Sequence, residues 1–110
     1  MLVNLCHRDM HVLDDEGEVA GVIPAHPSAP WFEFEEETME SSVVDGAVIQ
    51  VFQESVSNME VLPEQETGTF YIVPRRVALA AWERGDLCYP CDVERNGDNK
   101  IIGCHRFKLA

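Results

Sequence analysis

The chain has 110 residues, 45 % of them apolar, and sets twenty Asp and Glu against eight Lys and Arg for a formal net charge of −12. This length and apolar content make one packed domain, residues 1–110, rather than two domains or a disordered chain. The acidic balance excludes nucleic acid and anionic membranes as direct ligands, since phosphate binding needs a basic surface, and it suits a partner that is itself basic.

"LVNLCHRDMHVL" (2–13) is rich in β-formers and reads as a strand. The opening lacks the basic start and long apolar region of a secretory signal, and no stretch reaches the apolar length of a membrane span. The expected compartment is therefore the host cytoplasm, where the four cysteines stay reduced. "DDEGE" is a turn and "VAGVI" (19–23) a second strand, while three prolines in "PAHPSAP" (24–30) make an irregular connection. "WFEFEEE" (31–37) alternates as a strand, with Trp31, Glu33, Glu35 and Glu37 on one face and Phe32 and Phe34 on the other. "ETMESSVVDG" reads as a loop, "AVIQVFQ" (47–53) as a strand and "VLPEQETG" (61–68) as a connection.

"TFYIV" (69–73) is a strand that runs into the only helical period in the chain, over residues 74–84. Pro74 suits the first helical position, Val77, Ala78, Ala81 and Trp82 share one face, and Gly85 suits the C-terminal cap. "CDVER" and "KIIGCHRF" then flank "NGDN", a hairpin signal. The expected architecture is α+β: a small, twisted antiparallel sheet or partly open barrel with one short helix packed on it.

Several of these segments resemble small proteins encoded by bacteriophages, prophages and actinobacteria. Such proteins open with Asn-Leu-Thr-Pro-His and close with an Arg-x-Asp-Leu, Pro-Gly and Ile-Ile-Gly-Cys pattern. The matching residues are Asn4-Leu5, Leu62-Pro63, Gly68-Thr69, Tyr71-Ile72-Val73, Arg84, Asp86-Leu87, Pro90 and Ile101-Ile102-Gly103-Cys104. The likeness covers the second half of the chain and departs where Cys6-His7-Arg8 replaces Thr-Pro-His and Cys91 replaces a glycine. It implies a phage or mobile-element accessory protein and carries no activity with it.

Four groups of residues bear on function. Cys88 and Cys91 have the C-x2-C spacing of a zinc site, which Cys104 and Cys6 would have to complete. The second half of the motif is missing, so the spacing favours ordinary core sulfur, and structural zinc stays the alternative. His7, Asp9 and His11 would share one face of a strand, as iron ligands or as a wet edge. No nucleophile elbow, Walker loop or dinucleotide fingerprint is present, so no enzyme activity is expected.

The fourth group is the acid-rich middle of the chain, which has no Lys or Arg between Arg8 and Arg75. Glu33, Glu35 and Glu37 would repeat along one strand face at a spacing comparable to phosphates along a nucleic-acid strand, with Glu40 beyond them and Trp31 as an anchor at the rim. A solvated acidic surface is the plain reading. The sharper one is a non-enzymatic accessory protein that binds a basic host protein or nucleic-acid-binding complex, such as an anti-CRISPR-like nucleic-acid mimic. The alternative function is a small β-rich module holding zinc or a small ligand. Oligomeric state is left open by the sequence.

Overall fold

Eight strands and one short helix make up the computed structural model, which describes residues 1–110. The strands are β1 (Leu2–Asn4), β2 (Met10–Leu13), β3 (Val19–Ile23), β4 (Phe34–Val44), β5 (Ala47–Val56), β6 (Phe70–Ile72), β7 (Leu87–Arg95) and β8 (Ile101–Leu109), with helix α1 at Arg75–Ala80. Six strands form one sheet in the order β1-β6-β7-β8-β2-β3, and β4 and β5 form a separate hairpin. No helix is long and apolar enough to cross a membrane.

The α+β class with a single short helix holds, and the sheet itself is mixed. Hairpins pair β2 with β3 and β7 with β8 antiparallel, whereas β1/β6, β6/β7 and β2/β8 are parallel. Parallel neighbours need a crossover rather than a tight turn, and α1 lies in the one that joins β6 to β7.

A side chain breaks the long strand expected over 2–13. Asn4, which is buried, donates from Nδ2 to the Arg8 carbonyl at 2.9 Å and the Ile23 carbonyl at 3.1 Å, and its Oδ1 accepts the Cys6 N–H. These bonds turn the chain out of β1, so residues 5–9 cross toward the far edge of the sheet. A bridge between Asn4 and Ala25 and a bond from the His26 N–H to the Asn4 carbonyl tie the two edges together. The sheet thus curls into a partly open barrel.

Alternation along β6 and β7 buries both faces. Tyr71, Val73, Leu87 and Tyr89 point out under α1, where they join Leu5, Val77 and Ala78. Ile72 and Cys88 point in and meet Met10, Cys6, Ile23 and Phe107, so that five strands contribute to the interior. At Gly103 a Cβ would stand 2.7 Å from Leu13 Cγ and 2.9 Å from the His11 carbonyl oxygen, so the missing side chain is what lets β2 lie against β8.

The helix is shorter than its sequence period suggests. Pro74 caps it rather than starting it, and at Ala81 the backbone leaves the α region (φ −118°) for a 3-10 turn, Trp82–Arg84, which Gly85 ends at φ +74°. The break in phase buries Val77 and Ala78 and leaves Trp82, expected on the same face, exposed.

The largest departure lies at residues 37–46. They are not a loop but the outer part of β4, which runs through an Asp45-Gly46 turn (φ +49° and +80°) into β5. Two positive φ values are what a two-residue hairpin of matching twist requires. Only the root of this arm is packed. Phe34 and Val56 touch the outer core, the Arg76 guanidinium lies 3.3 Å over the Phe34 ring, and its Nη1 reaches Glu54 Oε2 at 3.3 Å. The arm explains a radius of gyration of 16.9 Å, against about 13 Å for a compact chain of roughly this size.

Because nothing beyond the root is buried, the arm should contribute little to stability. Replacing residues 38–52 by a new Asp-Gly turn is expected to leave the unfolding free energy within about 0.5 kcal/mol, read from a denaturant midpoint. A larger loss would mean that the arm packs on the barrel.

Candidate functional site on the acidic arm

Cross-strand partners share a face, and the register of the arm sorts its side chains accordingly. Glu35 faces Ser55, Glu37 faces Gln53 and Glu40 faces Val51, and these partners alternate along β5 on one face. A register shift between Thr38 and Glu40 leaves Met39 as the extra residue of a bulge. Without that bulge Glu40 would point to the opposite face. With it, three carboxylates run in a row, the first two roughly 7 Å apart.

No cation neutralises this row. Glu33, Glu35, Glu37 and Glu40 are all exposed, and none takes part in an ion pair. On the other face Glu36 sits opposite Glu54, which Arg76 engages. The field of the arm is therefore strongest on the side of Glu35, Glu37 and Glu40.

The entry to β4 is held in place by backbone bonds. Asn58 accepts the Glu33 N–H at Oδ1 (2.7 Å) and donates from Nδ2 to the Trp31 carbonyl (2.8 Å), and Glu33 O accepts the Ser57 N–H. As the alternation suggests, Phe32 and Phe34 turn toward the outer core while Glu33 faces water. Trp31 is 74 % exposed, and its ring stacks on His7 at 3.5 Å with the planes 8° apart. The indole is thus presented at the surface on a fixed support, because His7 Nε2 also bonds the Pro30 carbonyl at 2.8 Å.

Sequence reading misses the outer half of the arm. Val43, Val44, Val48, Ile49, Val51 and Phe52 all stand exposed, so the acidic inner half leads into an apolar end. The register divides them, with Val44, Ile49 and Val51 on the side of the acidic row and Val43, Val48 and Phe52 on the other. The Asp-Gly turn and the valines on either side of it were the available signal.

The cysteines do not meet at one point: Cys6 lies beside Cys88, and Cys91 lies near Cys104 on the neighbouring strand. Cys88 and Cys91 are three positions apart along β7, an odd step that places them on opposite sides of the strand. Cys88 is inside the barrel beside Cys6, whereas Cys91 is half-buried and its Sγ approaches Asp92. Cys104 is buried on β8. No three His, Cys, Asp or Glu side chains gather as a metal-ion cluster would. Burial pushes the Cys6 thiol up to about 11, with Arg8 opposing. It pushes Cys88 to about 11 as well, with Cys6 and Asp86 adding to the effect.

His7, Asp9 and His11 do not share a strand face either. Only His11 lies in β2, Asp9 Oδ1 accepts the Ala25 N–H at 2.9 Å, and His7 is taken up by Trp31 and Pro30.

One further titratable pair ties β7 to β8. His105 Nε2 meets Glu94 Oε1 at 2.9 Å, and this hydrogen bond raises the histidine pKa against the opposing effect of desolvation. A raised folded-state pKa means stabilisation that is complete below the ordinary histidine range and is lost as pH rises through the elevated value. In an NMR titration the His105 ring should therefore titrate above an ordinary histidine and fall back in Glu94→Gln. Identical midpoints in the two proteins would show that the contact is absent in solution.

No protein-family model matches the chain, and no curated protein or solved structure matches it.

Proposed function

We propose that this protein is a non-enzymatic binding protein, a phage accessory protein acting in the host cytoplasm, which engages a basic host protein through the acidic face of the β4–β5 arm. The observation that carries the reading is the row of Glu35, Glu37 and Glu40 on one face of a projecting hairpin, with no cation beside it. An arm that adds little to the fold yet holds unneutralised like charges in register is suited to steering toward a positive surface. Trp31, exposed at the root, supplies an aromatic anchor beside the charge. The likeness to phage-encoded proteins supports the setting.

The favoured partner is a subunit whose basic groove ordinarily holds nucleic acid, as in a host defence complex. The acidic inner half of the arm suits the charged part of such a groove. A zinc-holding module is the weaker reading, because the four cysteines fall into two separate pairs and no three metal-binding side chains gather. The test is binding to the basic partner by the wild type and by a Glu35→Lys, Glu37→Lys, Glu40→Lys protein. Undiminished binding by the reversed arm would remove the proposal.

A further inference from the structure

Two features of the molecule have no counterpart within it. The first is the tip of the arm, where Val43, Val44 and Val48 stand at least half exposed around the Asp45-Gly46 turn. The second is a cleft of about 670 Å³ at the root of the arm, walled by Leu5, Trp31, Phe34, Val73 and Tyr89 among others. Its size is that of a pocket that takes an apolar ligand or an inserted chain segment.

The charge of this cleft is the reverse of the rest of the protein. Twenty Asp and Glu occur in the chain and none lines the cleft, whereas three of the eight Lys and Arg do, Arg8, Arg75 and Arg76. Arg76 is committed to Glu54 and the Phe34 ring. Arg8 and Arg75 form no ion pair, and Arg75 lies over the Tyr89 ring at 5.7 Å. An apolar cleft rimmed by two free guanidiniums is complementary to an apolar body that carries a carboxylate. The tip of the arm is such a body, with Asp45 set among Val43, Val44, Ala47 and Val48.

We propose that the arm tip of one molecule inserts into the cleft of a second copy, with Asp45 facing Arg8 and Arg75 and the valines covering the aromatic wall. The arm cannot fill its own cleft. Phe34, at its root, is part of the cleft wall, and the ten residues of β5 hold the tip roughly 33 Å away. Reciprocal insertion closes a two-fold dimer, and successive insertion builds a ring or filament. The contact uses the tip and leaves the row of Glu35, Glu37 and Glu40, nearer the root, for another partner.

Charge exchange tests the contact directly, with mass read by sedimentation and native mass spectrometry. The wild type should assemble at micromolar concentration. Asp45→Asn keeps a residue that tolerates the left-handed turn conformation and should weaken assembly by roughly tenfold or more. Asp45→Lys should be monomeric, as should Arg8→Asp with Arg75→Asp, each with an unchanged far-ultraviolet dichroism spectrum. Mixing these two monomers should restore an assembly containing both in equal amounts, since each arm then meets a cleft of opposite charge.

A wild type that stays monomeric overturns the proposal. So does an assembly unaffected by Asp45→Lys, or a mixture of the two variants that stays monomeric. A monomer whose cleft retains a small anion, seen as added mass, overturns it in favour of a ligand site. The Glu35, Glu37 and Glu40 reversal should still assemble, which separates this contact from the acidic face.

Discussion

Arg84→Ala is expected to destabilise the protein by about 2–4 kcal/mol, read as a drop in the denaturant midpoint with little change in slope. Arg84 makes a two-point contact with Asp86, from Nε to Oδ1 at 3.0 Å and from Nη2 to Oδ2 at 2.8 Å, and also donates to the Pro63 carbonyl at 2.7 Å. Asp86 is buried, so loss of the guanidinium leaves its carboxylate without its ion-pair partner and with little access to water. The figure lies below that for a fully buried pair because the Arg84 side chain keeps 22 % of its exposure. Replacing both residues, as Arg84→Met with Asp86→Leu, should cost less than Arg84→Ala alone, since no charge is then stranded. A double variant that is less stable than the single would show that the pair contributes attraction well beyond its desolvation cost.

That contact also fixes the 62–66 connection to the barrel. Leu62-Pro63, Tyr71, Arg84 and Asp86-Leu87 are the residues that bind the 62–66 connection to the barrel. The Tyr71 N–H donates to the Asp86 carbonyl at 2.8 Å, and the Tyr71 hydroxyl donates to the Glu64 carbonyl at 3.3 Å. Gly103, in the closing segment, sets the approach of β2 to β8. These contacts hold the barrel together, while the arm that carries the proposed function projects beyond it.

The largest expected effect on binding is that of Glu35→Lys, Glu37→Lys and Glu40→Lys made together. Affinity for a basic partner should fall by roughly 100-fold or more, mostly through slower association, and the salt dependence of the remaining binding should flatten. The change should leave the fold intact, because all three side chains are exposed and unpaired. A reversal of Glu36 alone, set against Glu37→Lys alone, makes the matched control, since each changes the net charge equally. It alters charge on the opposite face, where Arg76 already engages Glu54, and should cost far less. Equal losses from the two faces would mean that net charge alone governs binding, with no role for the row.

Much of the barrel was legible in the sequence because its signals are local. Asn-Gly marks the β7–β8 hairpin, Pro74 and Gly85 bracket the helical segment, and Phe32 and Phe34 turn inward around Glu33, although the strand expected from Trp31 begins only at Phe34 and leaves Trp31 and Glu33 outside it. What was not legible depends on partners distant in the chain. The break after β1 comes from the Asn4 amide reaching Ile23, nineteen residues on. The parallel pairs depend on crossovers whose handedness and reach leave no period in the sequence.

The arm was missed for a different reason. Glu and Ser are weak strand formers, and β4 gains no burial beyond Phe34 to offset that, so "ETMESSVVDG" carries little sign of extended structure beyond Thr38, the valines and the Asp-Gly turn. The acidic row was foreseen through Glu35 and Glu37. The place of Glu40 in it depends on a bulge at Met39 that spacing alone does not reveal.

The central claim is tested most directly by purifying the tagged wild type and the Glu35, Glu37 and Glu40 reversal in parallel from host cells, at low and at raised salt. The account predicts a protein with a basic surface that accompanies the wild type at low salt, is released as salt rises, and is missing from the reversed variant. A partner retained equally by both, or retained at raised salt, would contradict a binding site made of this acidic face.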